Sequence, residues 1–122
     1  MGPSLCIGQV MTPFGKAFIY VGRYPSGGAI AMQLLAATSE PLGVFSTNLV
    51  HTGAHIADDE FWVKGWSENE PLVEPMMSSG LFEDTGRTQP TGYVAASVWR
   101  IKNPEHVPPS HRRRAKKDGA HA

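Results

Sequence analysis

The sequence predicts an α+β fold in which a single antiparallel sheet of about five strands carries one short helix. Segments in which side chains alternate between two faces recur along the chain, and turns that contain glycine or proline separate the first three of them. One stretch places apolar residues at helical spacing. The length of 122 residues suits one domain, and 41% hydrophobic with 18% charged residues is typical of a globular protein. We therefore expect the element order β-β-β-β-α-β.

The first half of the chain predicts an arm followed by a meander. Residues 1–15 hold several glycines and prolines without a sustained apolar period, so we expect a loose N-terminal arm with at most one short strand near residues 5–10. Three strands follow, at residues 17–24, 29–37 and 42–50. Residues 29–37 are rich in alanine, leucine and methionine, so a helix is the alternative there. The Gly27-Gly28 turn before this segment favours a hairpin, and therefore a strand.

A fourth strand, at residues 60–66, leads into the predicted helix. Ser67 and Glu70 have the spacing of a capping box, in which each side chain bonds the amide of the other residue. Gly80 provides a stop. Pro75 lacks an amide hydrogen and costs about 3 kcal/mol inside a helix. We therefore expect the helix either to begin near Glu74 or to be kinked.

The sequence of residues 81–122 predicts a long connection, one strand and a basic tail. Residues 81–92 are polar and hold two glycines and a proline, so we expect a long loop there. Residues 93–101 alternate and predict the last strand. The domain boundaries that follow are an arm at 1–15, a globular domain at 16–103 and a basic tail at 104–122.

The charges are distributed unevenly although the formal net charge is zero. Residues 58–84 hold eight acidic residues against one basic residue, a local net charge of −7. Residues 104–122 carry a net charge of +3. The body is acidic and the tail is basic, and this separation indicates a surface for a charged partner.

Other features narrow the function classes. A single cysteine, Cys6, excludes an internal disulfide and a multi-cysteine zinc site. No apolar run approaches the roughly 20 residues of a membrane span, and the start lacks the positive charge of a signal peptide, so we expect a cytoplasmic protein. Ser26 precedes a strand and lacks the setting of a nucleophile elbow. We predict no catalytic residue, no metal and no cofactor.

Several short motifs carry a resemblance. They are the Asp59–Lys64 segment DEFWVK, the Trp66–Glu70 segment WSENE, the Thr85–Arg87 segment TGR and the Pro90–Val94 segment PTGYV. This pattern resembles a family of small uncharacterised proteins, catalogued as a domain of unknown function, on bacterial plasmids and phages. The similarity covers roughly residues 17–101, and Pro71 and Pro75 depart from it. The resemblance implies a setting in which compact proteins bind and block host defence machinery, as anti-CRISPR inhibitors do.

The hypothesis from the sequence is a non-enzymatic accessory protein that inhibits a host defence complex through an acidic surface. Such complexes bind nucleic acid through basic grooves, which a rigid array of carboxylates can occupy. The partner-binding residues that we predict are Asp58, Asp59, Glu60, Trp62, Trp66, Glu68, Glu70 and Glu74. Exposed tryptophans among carboxylates would be a hot spot, although the same aromatic residues can build the core.

Two alternatives belong to other classes. His51, His55 and Asp58 lie close in sequence and could serve a metal-dependent hydrolase. The run from His111 to Lys117 could bind phosphates, although such a run more often serves as a solubilising end. Direct nucleic-acid binding is the less favoured reading, because the aromatic residues have acidic neighbours.

Overall fold

The computed structural model describes residues 4–109, which form two four-stranded antiparallel sheets and one α-helix. The strands are β1 Leu5–Thr12, β2 Gly15–Arg23, β3 Ile30–Ala36, β4 Pro41–Val44, β5 Ser46–Thr47, β6 Glu60–Val63, β7 Phe82–Thr91 and β8 Val94–Ile101, and the helix is α1 Glu70–Ser78. The orders are β1-β2-β3-β4 in the first sheet and β5-β6-β8-β7 in the second. The α+β class fits this arrangement, but the expected single sheet of about five strands is wrong.

The two sheets meet at Phe45, between β4 and β5. The Phe45 amide donates to the Met32 carbonyl in the first sheet at 2.8 Å, and the Phe45 carbonyl accepts from the Lys64 amide, just after β6, at 2.8 Å. The predicted third strand, residues 42–50, is therefore two short strands that pair with different neighbours. Alternation along this segment continues through the break, so the pattern alone gave no sign of it.

Two strands were not expected at their full length. Leu5–Thr12, placed in a loose arm, pairs with β2 along its whole length and carries a bulge between Cys6 and Gly8. Phe82–Thr91, placed in a long loop, pairs with β8. This strand is at a sheet edge and most of its residues are exposed, so it lacks the apolar alternation that marks a half-buried strand. The first hairpin, between β2 and β3, is confirmed.

The helix begins before Glu74, the later of the two starts considered, and it lacks the predicted capping box. It starts at Glu70 and contains Pro75, so a start near Glu74 is wrong. The Glu70 amide donates to the backbone carbonyl of Ser67, and Ser67 has a left-handed φ of 59°. Ser67 therefore opens a 3-10 turn, Ser67–Asn69, and does not act as a capping-box residue. No helix in the described part is long and apolar enough to cross a membrane.

The main core lies between the two sheets and under the helix. Both sheets contribute to it, and α1 adds Leu72 and Met76. Four aromatic rings meet at its centre, where Trp99 contacts Phe45, Phe61 and Phe82 at centroid distances of 5.4, 6.1 and 6.0 Å. Tilted and edge-on contacts of this kind stabilise aromatic clusters beyond their buried area. The sheets therefore fold over a shared aromatic centre.

A second, smaller core covers the other face of the second sheet. It contains Trp62, Ala96 and Val98, and residues of the segment between β5 and β6 pack over them. Tyr24 joins this cluster and its hydroxyl shares a 2.9 Å hydrogen bond with the Ser46 hydroxyl. Burial raises the pKa of Tyr24, because the phenolate is poorly solvated there. All four residues of β6 are consequently buried, since both faces of this strand are covered.

Asn69 connects the helix to both sheets. Its side-chain amide donates to the Val44 carbonyl of β4 at 2.6 Å and to the Lys64 carbonyl at 3.0 Å. Only 1% of Asn69 is exposed. Gly43 leaves room for it, because a Cβ at Gly43 would lie 3.0 Å from the Asn69 side-chain oxygen. This one side chain fixes where the segment from β6 to α1 crosses the edge of the first sheet.

The isosteric change Asn69→Asp tests this connection. It removes both donated hydrogen bonds from a buried place, so we expect the free energy of unfolding to fall by about 2–4 kcal/mol. Denaturant unfolding of the purified protein measures the change. Asn48→Asp is the matched control, because Asn48 donates to the Ser26 carbonyl in an exposed setting and should cost less than about 1 kcal/mol. Equal losses in the two variants would contradict the assignment.

Tyr24→Phe tests the burial of the phenol through pH. The pKa of Tyr24 is raised in the folded state, so the unfolded phenol, with an ordinary pKa of about 10, loses its proton first. The wild type should therefore lose stability as the pH rises above about 10, and the variant should lack this part of the loss. Chemical unfolding of both proteins between roughly pH 8 and 11 provides the comparison. Parallel stability curves would show that Tyr24 is not desolvated.

Candidate functional site

The predicted acidic surface is divided by the fold, and Glu60 is part of the interior. Only 5% of Glu60 is exposed. One carboxylate oxygen accepts from the Ala57 amide at 2.9 Å, and the other pairs with the Arg87 guanidinium. These contacts hold the segment before β6 to the edge strand β7. Glu60 therefore has a structural environment, and its predicted place on an exposed surface is wrong.

The two predicted tryptophan anchors have different environments. Trp62 is 1% exposed and belongs to the second core, so the expectation of an exposed ring at this position is wrong. Trp66 is half-buried and lies at the start of the segment that leads into α1. Only Trp66 can present part of its ring to a partner without rearrangement of the fold.

Two further acidic residues are paired with bases on the surface. Glu68 accepts from the Lys64 ammonium at 3.0 Å, and Glu83 accepts from the Arg100 guanidinium at 2.5 Å. The Glu68 backbone amide and then the Lys64 ammonium lower the pKa of Glu68 to about 2. The hydrogen bond from Arg100 lowers the pKa of Glu83. Exposed pairs such as these add little stability, but they reduce the free negative charge of the segment.

Asp58 and Asp59 lie in a different place from the helix. They line an open cleft of about 540 Å³ together with Glu83, Arg100 and Lys102. Basic and acidic side chains share this cleft, so it is not a uniformly negative surface. The cleft lies at the Ile101 end of β8, whereas Trp66 lines a groove at the Val94 end. The groove is lined by residues 94–99 and the cleft by residues 100–102. At about 3.3 Å per residue, the middles of these two stretches are roughly 15 Å apart.

Glu70 and Glu74 remain as free acidic residues on the helix. Both are exposed, and neither has a basic partner within residues 4–109. Their i,i+4 spacing puts both carboxylates on the outward face of α1, opposite the buried Leu72 and Met76. We call Trp66, Glu68, Glu70 and Glu74 the helix-side face. The structure thus keeps four of the eight predicted residues together.

The metal site of the alternative reading is not formed. His51 and His55 are exposed, and Gly53 interrupts the segment between them with a left-handed φ of 87°. The described residues hold no group of three or more histidine, cysteine, aspartate or glutamate side chains placed to share a metal ion. His51, His55 and Asp58 therefore lack the convergence that such a hydrolase would need. The basic run from 111 to 117 lies outside the described residues.

A mostly apolar groove lies beside the helix-side face, and no sequence pattern predicted it. Its volume is about 360 Å³, and Val73 of α1 and Val94 and Ala95 of β8 are among its lining residues. Tyr93, at the tip of the β7–β8 hairpin, is fully exposed next to it. The signal that could have revealed this hairpin is the Gly92-Tyr93 pair between a threonine-containing segment and a valine-containing segment, which is typical of a tight two-residue turn.

Comparison with known proteins found no match among protein-family models, curated proteins or solved structures. The resemblance to plasmid and phage proteins therefore stays a prediction. What the site can do follows from its own geometry alone: it offers exposed carboxylates, part of one indole ring and an apolar groove.

The interior role of Glu60 predicts the effect of Arg87→Gln. This change leaves a buried carboxylate without its cation, so we expect the free energy of unfolding to fall by about 1–3 kcal/mol. Denaturant unfolding at neutral pH measures the loss. Arg100→Gln is the matched control, because it breaks only the exposed pair with Glu83 and should lower the stability clearly less than Arg87→Gln does. A smaller loss for Arg87→Gln than for the control would contradict the assignment.

Proposed function

We propose that this protein acts by binding, without catalysis, and that its helix-side face docks on a positively charged surface of another macromolecule. The observation that carries the proposal is the free charge of Glu70 and Glu74. Three other acidic residues of the segment, Glu60, Glu68 and Glu83, are paired with bases. Glu70 and Glu74 face solvent side by side on the helix, without a base among the described residues.

The helix keeps the backbone positions of the two acidic residues in a fixed arrangement. Its inner face is anchored in the core by Leu72 and Met76, and Asn69 holds its first turn to both sheets. The backbone that carries the two charges is ordered before binding, so only the two side chains lose conformational freedom, which favours affinity. Exposed charges also increase the rate of association with an oppositely charged partner. Trp66 adds an aromatic contact beside them.

The partner class that we propose first is a host defence complex with a basic, nucleic-acid-binding groove. The motifs that resemble plasmid and phage proteins support this choice, because such elements carry inhibitors of host defence. In this reading the protein is an anti-CRISPR-like inhibitor in the bacterial cytoplasm, and it covers the groove in place of nucleic acid. The acidic charge of the body supports the same choice.

The test compares two double variants, each of which removes two negative charges, one pair on the helix and one pair elsewhere on the surface. The full-length protein first captures its partner from a host strain that carries defence systems. Binding of this complex is then measured at two salt concentrations for Glu70→Gln/Glu74→Gln and for the control Glu40→Gln/Glu105→Gln, which has the same net charge. We expect about tenfold weaker binding for the helix variant alone, equal to about 1.4 kcal/mol, and a smaller salt dependence.

Two results would contradict the proposal. Equal binding by the helix variant and the wild type at both salt concentrations would exclude an electrostatic role for this face. Loss of binding confined to Asp58→Asn/Asp59→Asn would place the partner at the cleft near Arg100, away from the helix.

A further inference from the structure

The groove beside the helix-side face has a mostly apolar lining, to which Ser97 adds a hydroxyl group, and no charged residue lines it. Val63 and Trp99 lie along it from the second sheet, Trp66 and Val73 line its helix side, and Val94 and Ala95 come from the β7–β8 hairpin. None of its lining residues, all within the described part of the chain, carries a charge. Water in such a groove gains few hydrogen bonds, so an apolar group that replaces it is favoured.

A glycine keeps the groove open. Gly65 follows the end of β6, and a Cβ there would lie 3.1 Å from a methyl carbon of Val73. Any side chain at position 65 would therefore crowd the helix side of the groove. On the other side, Val94 is 38% exposed although it is apolar, and the neighbouring Tyr93 ring is fully exposed. The groove thus continues into an exposed apolar tip.

The free carboxylates lie next to this apolar surface. Val73 faces the groove, Glu70 is three positions before it, and Glu74 directly follows it. At 100° per residue, Glu70 lies about 60° and Glu74 about 100° around the helix from Val73, on the same side of it. An apolar group in the groove would consequently have two carboxylates along one edge of its binding site.

We propose that the groove takes an apolar side chain from a partner segment in which lysines or arginines flank that side chain. The inference rests on the proposed function and adds the chemistry of the partner. The apolar side chain would replace water above Val73 and Ala95, and a neighbouring cation would reach Glu70 or Glu74. An interface in which an apolar anchor lies inside a charged rim is the usual arrangement of a hot spot.

Charge complementarity favours this occupant over a second copy of the chain. A two-fold dimer brings the same surface of both copies together, so residues of one copy meet the same residues of the other. Across this groove, Glu70 and Glu74 would then approach their own equivalents, and like charges disfavour such a contact. A segment with basic flanks meets no such repulsion.

The experiment uses synthetic peptides and the full-length, isotope-labelled protein. The probe peptide holds a leucine-phenylalanine pair with two lysines on each side. One matched peptide has serines in place of the apolar pair, and another has glutamates in place of the lysines. Amide shifts in NMR spectra give the binding site and the affinity. We expect shifts at residues 65–66, 73 and 93–97, and at least tenfold weaker binding of both matched peptides.

Two variants separate the groove from the charges. Ala95→Leu fills the groove, and Ala37→Leu makes the same change in the exposed turn after β3. We expect the first to weaken binding of the probe peptide at least tenfold and the second to leave it unchanged. Glu70→Gln/Glu74→Gln should weaken binding of the lysine peptide at low salt and leave the weak binding of the glutamate peptide unreduced.

Several outcomes would overturn the proposal. If Ala95→Leu binds the probe peptide as tightly as the wild type and Glu70→Gln/Glu74→Gln binds it more weakly, the groove is not the binding site and the proposed function stands. Unchanged affinity in the acid variant would instead count against the proposed function. No binding at 1 mM peptide, or shifts centred on the cleft near Arg100, would exclude the groove. Tighter binding after Arg112, Arg113 and Arg114 are changed to glutamine would identify the chain's own tail as the occupant.

Discussion

The arrangement of this protein depends on the backbone of Phe45, which belongs to both sheets at once. Its amide completes the first sheet at Met32, and its carbonyl completes the second sheet at Lys64. A buried strand must satisfy its polar groups, so the change of partner at a single residue turns one strand into a corner. The Phe45 ring is fully buried against Trp99 at the same point. The corner and the aromatic centre of the core therefore stabilise each other.

The corner also determines where charge remains free. Because the second sheet folds over the first, β6 is covered on both faces and Glu60 is taken into the interior. Arg87 of β7 and Arg100 of β8 pair with carboxylates of the acidic stretch. Both arginines lie after residue 84, so the local net charge of residues 58–84 does not include them. Residues 58–84 have a local net charge of −7, but ion pairs leave only a few of their carboxylates without a base among the described residues. Net charge along a sequence thus overstated the charge that a partner would meet.

The sequence predicted the elements whose patterns arise locally. The hairpin of β2 and β3, the existence of a helix after β6 and its exposed acidic face all follow from turn residues and periodicity. The missed features depend on tertiary contacts. Nothing local marks the change of partner at Phe45, β7 is an edge strand without an apolar face, and Trp62 is covered by a segment that carries no regular pattern. Of the predicted site, Trp66, Glu68, Glu70 and Glu74 stayed together because one helix start carries them.

The docking site that we propose for a partner is the helix start and the groove beside it. Hydrogen exchange of the full-length protein, free and in complex with the captured partner, tests it most directly, because the method maps protection along the whole chain. We predict new protection at residues 65–77 and 93–97, with little change at residues 50–59 and 100–107. Protection confined to residues 50–59 and 100–107 would contradict it.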